Sequence, residues 1–187
     1  MFEKVCIIGC GLIGSSLARA IKKNNLAGKI VSSNRSENVN KKVIDLKIVD
    51  ESSSDTKKMV EDSDLIVIAT PLSSFEDVIL KIKDSIKSGI ILTDVGSVKE
   101  NIMNLIDKNI PENISWISSH PIAGTEESGP ESGLSELFNN RWCILTPSKK
   151  AKEQDIDLLK TFWERVGSKV DIMDSKQHDH ILSITSH

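Results

Sequence analysis

The stretch VCIIGCGLIGSSLARAI, residues 5–21, runs from an apolar strand-like segment through three glycines into a segment of helical periodicity. The glycines have the G-x-G-x-x-G spacing. The first permits a tight turn, the second lets a phosphate approach the backbone, and the third allows close helix–strand packing. The helix N-terminus then offers free N–H groups to a pyrophosphate. The stretch therefore predicts a dinucleotide-binding turn; the alternative is a packing turn without a ligand. The predicted cofactor contacts are Gly9, Gly11, Leu12, Ile13 and Gly14.

Short β-rich segments alternate with helical segments on the C-terminal side of this turn. The further strands are predicted at KIVSS, DLIVIAT, GIILTDV and SWISSH. The helices are predicted at LIGSSLARAIKK, ENVNKKVIDL, SFEDVILKIKDSI and VKENIMNLIDKN. Such alternation predicts an α/β fold of the Rossmann type, doubly wound, with a mainly parallel sheet and helices on both faces.

The alternation loosens after His120. A loop with a short helix is expected over 121–140, followed by a strand at RWCILTP, a helix at KEQDIDLLKTFWERVG and a strand at SKVDIMD. A new helix begins in SKQHDHILSITSH and stops at His187. We expect residues 1–172 to form the dinucleotide-binding domain, and residues 173–187 to start a helix leading into a further domain that is cut off.

Composition narrows the possible partners. The net charge is −3 and the basic residues form no stripe, so we expect no nucleic-acid partner. No apolar run has the length of a membrane span, and the first strand leaves no room for a signal peptide. The three cysteines form neither a CxxC nor a metal-ligand spacing, which predicts reduced thiols, a cytoplasmic protein and no metal.

The end of the second predicted strand bears on the choice of cofactor. NAD-binding domains place an acidic residue here for the ribose 2′-hydroxyl, whereas this chain has Asn34, followed by Arg35 and Ser36. A missing carboxylate removes repulsion against a 2′-phosphate, and Arg35 can pair with that phosphate. The sequence favours NADP over NAD; in the alternative, Arg35 is a solvated side chain and Asn34 still serves NAD.

Thr70 and Pro71 follow the apolar segment DLIVIA at a strand's carboxyl end, where α/β sheets bind ligands. We predict that they line the cofactor. The alternative is a plain turn in which Ser73 or Ser74 caps the next helix.

Two segments offer catalytic side chains. In TDVGSVK, the residues Asp94, Ser97 and Lys99 follow a strand, although Ser97 could instead cap a helix beginning near Val98. In SSHPIAGTE, His120 ends a strand, and a neutral imidazole there can take a proton from a substrate hydroxyl as hydride leaves. A structural histidine bonded to backbone is the alternative.

Three further histidines lie near the end of the chain. His180 and His187 are seven residues apart, so a helix would place them on one face, with His178 nearby. Histidines grouped at a terminus are more often exposed or packing residues than a site.

Five motifs together resemble one family. GCGLIGSSLARAI, IATPLSSF, TDVGSVK, SHPIAGTEESG and HDHILSITSH occur in an order and at separations similar to those of prephenate dehydrogenase and its arogenate and cyclohexadienyl relatives. The resemblance runs over essentially the whole chain. It implies an enzyme of tyrosine biosynthesis that oxidatively decarboxylates prephenate to 4-hydroxyphenylpyruvate, or arogenate to tyrosine, with NAD or NADP.

The resemblance also implies roles for particular residues. His120 matches the family's catalytic histidine, and Ser97 matches the serine that orients the substrate hydroxyl and that histidine. Thr125 and Glu126 of the GTE motif match the substrate pocket, which the acid helps to gate. His187 matches the first histidine of the SHxPH segment, which lines the substrate site. The family continues into an all-helical domain that makes a homodimer and supplies an arginine for the substrate carboxylate.

Two other functions remain open. One is a different NADP-dependent Rossmann-type reductase, such as a relative of the 3-hydroxyacid dehydrogenases, which usually carry a catalytic lysine on a later helix. The other is a non-catalytic, NADP-binding regulatory module. A sensor needs neither His120 nor Ser97.

Overall fold

The computed structural model describes residues 1–185 and contains eight strands and seven α-helices within that range. The strands are β1 (Phe2–Ile8), β2 (Ala27–Ser33), β3 (Glu51–Ser53), β4 (Leu65–Ile68), β5 (Ile91–Asp94), β6 (Ser115–Pro121), β7 (Trp142–Pro147) and β8 (Lys169–Ile172). The helices are α1 (Leu12–Lys23), α2 (Glu37–Asp45), α3 (Thr56–Val60), α4 (Phe75–Ile82), α5 (Glu100–Asn109), α6 (Glu153–Val166) and α7 (Ser175–Thr185).

All eight strands form one sheet in the order β3-β2-β1-β4-β5-β6-β7-β8. Every neighbouring pair is parallel except β6 and β7, which are antiparallel, with His120 opposite Ile144. The first six strands have the order of a dinucleotide-binding fold. The predicted α/β fold of the Rossmann type, with its mainly parallel sheet, is confirmed.

Residues on both faces of the central strands are buried in apolar clusters. In β1, Val5 and Ile7 pack with α1 and α6 on one face, whereas Cys6 and Ile8 pack with α4 and α5 on the other. Trp163 and Trp116 are the largest buried side chains in the two clusters. Because neither face of these strands meets water, their sequences read as continuous apolar runs.

The sheet topology brings to one edge the strand ends that precede Gly9, Thr70 and Ser97 and the strand end that carries His120. Strands β1, β4, β5 and β6 are parallel, so their carboxyl ends lie side by side, and the order of connections reverses between β1 and β4. Ligands of open α/β sheets bind at such a reversal. Within the described range, no helix is long and apolar enough to cross a membrane.

Candidate active site

The glycine turn between β1 and α1 is tightly packed at its first and third glycines and open at the second. Gly9 has a φ of +96°, and a Cβ atom there would lie 2.9 Å from the carbonyl oxygen of Ala69. A Cβ atom on Gly14 would lie 2.1 Å from the carbonyl oxygen of Gly9, whereas one on Gly11 would meet nothing within 4 Å. The open space lies where a pyrophosphate approaches the backbone.

The start of α1 suits an anion. Gly11 is the N-cap residue and supplies no side-chain cap, and the first turn, which includes Leu12 and Ile13, has no acidic residue. The backbone N–H groups of this turn are therefore available to a phosphate.

Thr70 adds an unused polar group beside the turn. Its Oγ1 atom is buried and has no hydrogen-bond partner among the described residues, while its Cγ2 atom closes the space next to Gly9. A buried hydroxyl without a partner is costly, so a ligand atom at this position would be favourable. Pro71 is exposed. Ser74 is the N-cap residue of α4 but makes no side-chain cap bond.

Asn34 lies at the end of β2, where the acidic residue of NAD-binding domains is expected. Its Oδ1 atom accepts the backbone N–H of Cys10 at 2.6 Å, and its Nδ2 atom donates to Asn40 Oδ1 at 3.0 Å. The amide thus braces the glycine turn from within the protein. Arg35 and Ser36 follow it and are exposed.

The TDVGSVK segment is held by a buried ion pair. The Lys99 ammonium lies 2.7 Å from Asp94 Oδ2, both side chains are fully buried, and Lys99 also donates to the carbonyl oxygen of Ser119 at 2.7 Å. Asp94 further accepts the Gly96 N–H at 2.8 Å and the Ser118 hydroxyl. These bonds fix the loop after β5 against the end of β6.

Ser97 is exposed and lies between Asp94 and Lys99 in the sequence. The interpretation of Ser97 as a helix cap is wrong, because α5 begins at Glu100 rather than near Val98. The carboxylate of Asp179 accepts the N–H groups of Lys99 and Glu100, each at 2.9 Å. The cap of α5 therefore comes from α7.

His120 is half-buried near the carboxyl end of β6. Its Nδ1 atom lies 2.9 Å from Nε2 of His178, and Nδ1 of His178 lies 2.7 Å from Oδ1 of Asp179. Burial, with smaller effects from Lys99 and His178, lowers the pKa of His120 from 6.5 to about 4. At neutral pH the imidazole is uncharged and able to accept a proton.

The remaining predicted substrate residues are Thr125, Glu126 and His187. Thr125 and Glu126 are exposed in the loop after β6, where Thr125 Oγ1 accepts the N–H of Glu127 at 3.2 Å. His187 lies outside the described residues.

The cysteines are not reactive groups. Cys6, Cys10 and Cys143 are free and buried, and burial raises the pKa of the Cys10 thiol to about 11. Along residues 1–185, no three or more His, Cys, Asp or Glu side chains are grouped so that they could hold a metal ion.

Sequence reasoning missed His178 and Asp179 as neighbours of the site. His178 was expected to be an exposed or packing residue, yet it is fully buried against His120, 58 positions earlier in the chain. The only local signal is a carboxylate directly after a histidine, and the contact itself depends on how α7 packs on α5.

Comparisons with known proteins identify the family of the chain. The family model described as the prephenate dehydrogenase nucleotide-binding domain matches residues 17–172. Cyclohexadienyl dehydrogenase of Zymomonas mobilis is 35% identical over all of this chain, which spans 64% of that relative. Prephenate dehydrogenase of Bacillus subtilis is 30% identical, and the chain spans 51% of it.

Solved structures of members of this family have a similar fold. A crystal structure of Aquifex aeolicus prephenate dehydrogenase has a TM-score of 0.90 and 30% identity, covering 98% of this chain and 66% of that one. Another structure of the Aquifex aeolicus enzyme is a complex with hydroxyphenyl propionate and NAD⁺, at 29% identity, a TM-score of 0.90 and 97% and 63% coverage. This chain belongs to the prephenate dehydrogenase family, and it carries that family's nucleotide-binding domain.

Proposed function

We propose that the protein oxidises prephenate or arogenate with a nicotinamide cofactor, releasing carbon dioxide and an aromatic product. The observation that carries this proposal is a neutral, half-buried His120 at the carboxyl edge of a dinucleotide-binding sheet. The named activities of the relatives, prephenate and cyclohexadienyl dehydrogenation, support the substrate class.

The glycine turn and Thr70 would hold the cofactor, which supplies the hydride acceptor when it is bound. The open space at Gly11 suits the pyrophosphate, and the unpartnered Thr70 hydroxyl suits a polar cofactor atom. Gly9 and Gly14 shape the turn, and Leu12 and Ile13 begin the helix whose N–H groups face the phosphates.

His120 acts as the general base. It accepts the proton of the ring hydroxyl as hydride leaves the carbon bearing that hydroxyl. The electrons of the breaking carbon–carboxylate bond enter the ring and make it aromatic. The proton then returns from His120 to the phenolic oxygen, so that no net proton is consumed. A positioned base of this kind contributes about 10²- to 10⁴-fold in rate.

Ser97, Thr125, Glu126 and His187 are proposed to contact the substrate. Ser97 is exposed on a loop that the Asp94–Lys99 pair fixes beside β6, which suits a hydroxyl that orients the substrate and His120. Thr125 and Glu126 are exposed in the loop directly after β6, where an acid can gate a pocket.

We further propose that NADP is preferred over NAD. The residue at the end of β2 is Asn34, which has no carboxylate to repel a 2′-phosphate. Its amide is hydrogen-bonded to Cys10 of the glycine turn and to Asn40. Arg35 is exposed next to it and can pair with that phosphate. The Aquifex aeolicus complex contains NAD⁺, so the test includes both cofactors.

The proposed assembly is a homodimer made through a helical domain following α7, as the resemblance to the family implies. The chain spans 64% and 51% of the two relatives named above, which leaves room in them for a further domain. We propose that it acts in the cytoplasm, because its three cysteines are free thiols buried in the sheet core.

The test is turnover by the protein expressed from its complete coding sequence. Prephenate and arogenate are each supplied with NAD and with NADP, and reduced cofactor is followed by absorbance. Reduction that depends on one of these substrates supports the proposal, and the better cofactor tests the preference for NADP. Clear NADP binding without reduction in any pairing would favour another reductase or a regulatory module.

A further inference from the structure

We propose that His178 and Asp179 are positioning residues, forming a relay that fixes the tautomer of His120 and leaves its Nε2 atom as the proton acceptor. The catalytic consequence rests on the proposed function, whereas the relay itself is a property of the folded chain. The 2.9 Å bond between His178 and His120 joins α7 to the end of β6, and the 2.7 Å bond between His178 and Asp179 lies within α7.

The direction of each bond follows from the chemistry of its partners. A carboxylate only accepts hydrogen bonds, so Nδ1 of His178 must carry the proton shared with Asp179. A neutral His178 then has an unprotonated Nε2, which accepts from Nδ1–H of His120. The proton of neutral His120 is thereby confined to Nδ1, and its Nε2 lone pair is left for the substrate hydroxyl.

The relay requires a neutral His178 and an ionised Asp179, and the surroundings of the two residues favour these charge states. Burial lowers the pKa of His178, so the ring is neutral at physiological pH. Backbone N–H groups of Glu100 and Lys99 and the His178 ring lower the pKa of Asp179 against the effect of burial, so the carboxylate stays ionised. Both conditions are required for His178 to donate from Nδ1 and accept at Nε2.

The relay is anchored at both ends. Asp179 accepts the N–H groups of Lys99 and Glu100 at the start of α5, and His178 is fully buried. The Lys99 ammonium in turn donates to the carbonyl oxygen of Ser119, the residue before His120. These hydrogen bonds therefore fix the positions of the Ser97 segment and of the His120 strand relative to α7.

A hydrogen-bond acceptor held against the second ring nitrogen of a catalytic histidine has two effects in catalysis. It holds the base in the tautomer that can accept a proton, and it stabilises the imidazolium that forms. Without the relay, Nε2 of His120 would be free to carry the proton itself and would present a donor where an acceptor is needed. His180, two positions further along α7, is exposed and provides a matched control.

The test is the tautomer of His120, read from ¹⁵N chemical shifts of its ring in the 187-residue chain at neutral pH without substrate. We expect the Nδ1–H form in the wild type and in His180→Asn. In Asp179→Asn, the amide nitrogen takes the place of Oδ1 and donates to His178. The amide oxygen still accepts the N–H of Glu100 at 2.9 Å and that of Lys99 at 3.3 Å. Both rings then invert, and we expect the Nε2–H form of His120.

His178→Phe is the second variant, which removes the acceptor while keeping an aromatic ring, and it should also release His120 from the Nδ1–H form. The relay is overturned if wild-type His120 already has the Nε2–H form, or if a folded Asp179→Asn variant keeps the Nδ1–H form. The wild-type measurement decides this even if both variants fail to fold.

Kinetic measurements distinguish a failure of the relay from a failure of the proposed function. Where the wild type turns over, we expect Asp179→Asn to lower kcat by about 100-fold with unchanged cofactor affinity, and His180→Asn to leave both unchanged. A wild type that has the Nδ1–H tautomer but no dehydrogenase turnover would contradict the proposed function and leave the relay intact.

Discussion

The imidazole of His120 is the residue on which the proposed chemistry depends. We expect His120→Asn to lower kcat by about 10²- to 10⁴-fold, because asparagine fits the strand end but cannot accept the proton. Cofactor affinity should be unchanged, since the glycine turn lies on another strand. Steady-state kinetics and cofactor titration measure the two effects, and near-normal turnover would remove His120 from its role.

Arg35 is the residue through which the chain would distinguish the two cofactors. It is exposed, so its bond to a 2′-phosphate is partly screened, and we expect Arg35→Ala to weaken NADP about tenfold. NAD has no such phosphate and should bind the variant as it binds the wild type. Calorimetric titration with both cofactors provides the comparison; equal losses would mean that Arg35 does not touch the 2′-phosphate.

At the scale of elements, we expect two glycines of the turn between β1 and α1 to have different roles: Gly14 in packing and Gly11 in cofactor binding. A Cβ atom on Gly14 would lie 2.1 Å from the carbonyl oxygen of Gly9, so Gly14→Ala must push α1 away from β1. Gly11 faces open space, and Gly11→Ala should leave stability nearly unchanged while its methyl group occupies the phosphate position.

We therefore expect Gly14→Ala to lose several kcal/mol of stability and Gly11→Ala to lose cofactor affinity alone. Denaturant unfolding and fluorescence titration on both variants measure this. Equal destabilisation by the two substitutions would contradict the packing argument.

The buried Asp94–Lys99 pair connects β5 to the loop that starts α5. Lys99→Met leaves the Asp94 carboxylate buried without its counter-charge, and we expect a loss of about 3–5 kcal/mol in the free energy of unfolding. The exposed Lys23–Glu136 pair offers a control, because Lys23→Met should cost less than about 1 kcal/mol. Similar losses in the two variants would argue against burial as the cause.

At the scale of the whole molecule, the sheet was predictable because its central strands are apolar on both faces. Strand β3 (Glu51–Ser53) and helix α3 (Thr56–Val60) were not predicted, since a polar three-residue edge strand and a five-residue helix carry no periodic signal. Strand β3 forms by pairing with β2, for example Val31 opposite Glu51, and α3 buries Met59 and Val60 in the second apolar cluster.

In the candidate site, too, some residues could be predicted from the sequence and others could not. Gly9, Gly11 and Gly14 could be assigned from local spacing, because a turn is determined by adjacent residues. The contact of His120 with His178 depends on the docking of α7, which no local pattern encodes. Tertiary packing therefore supplied the part of the site that sequence reasoning missed.

Half-buried His120 and buried His178 should also make the stability of the whole chain depend on pH. The pKa of His120 falls from 6.5 to about 4 on folding, and that of His178 also falls. Between pH 6.5 and pH 4 the unfolded chain binds more protons than the folded one. The free energy of unfolding is therefore highest above pH 6.5 and decreases as the pH falls. From pH 6.5 to pH 5, His120 alone should account for about 2 kcal/mol.

Urea unfolding across this pH range measures the slope, and His120→Asn is the matched variant. Removing one such histidine should lower the slope by up to about 1.4 kcal/mol per pH unit, while lowering stability at neutral pH much less than a core substitution would. An identical pH dependence in the wild type and the variant would mean that His120 titrates in the folded chain near its ordinary value. That result would remove burial as the reason why the proposed base is neutral.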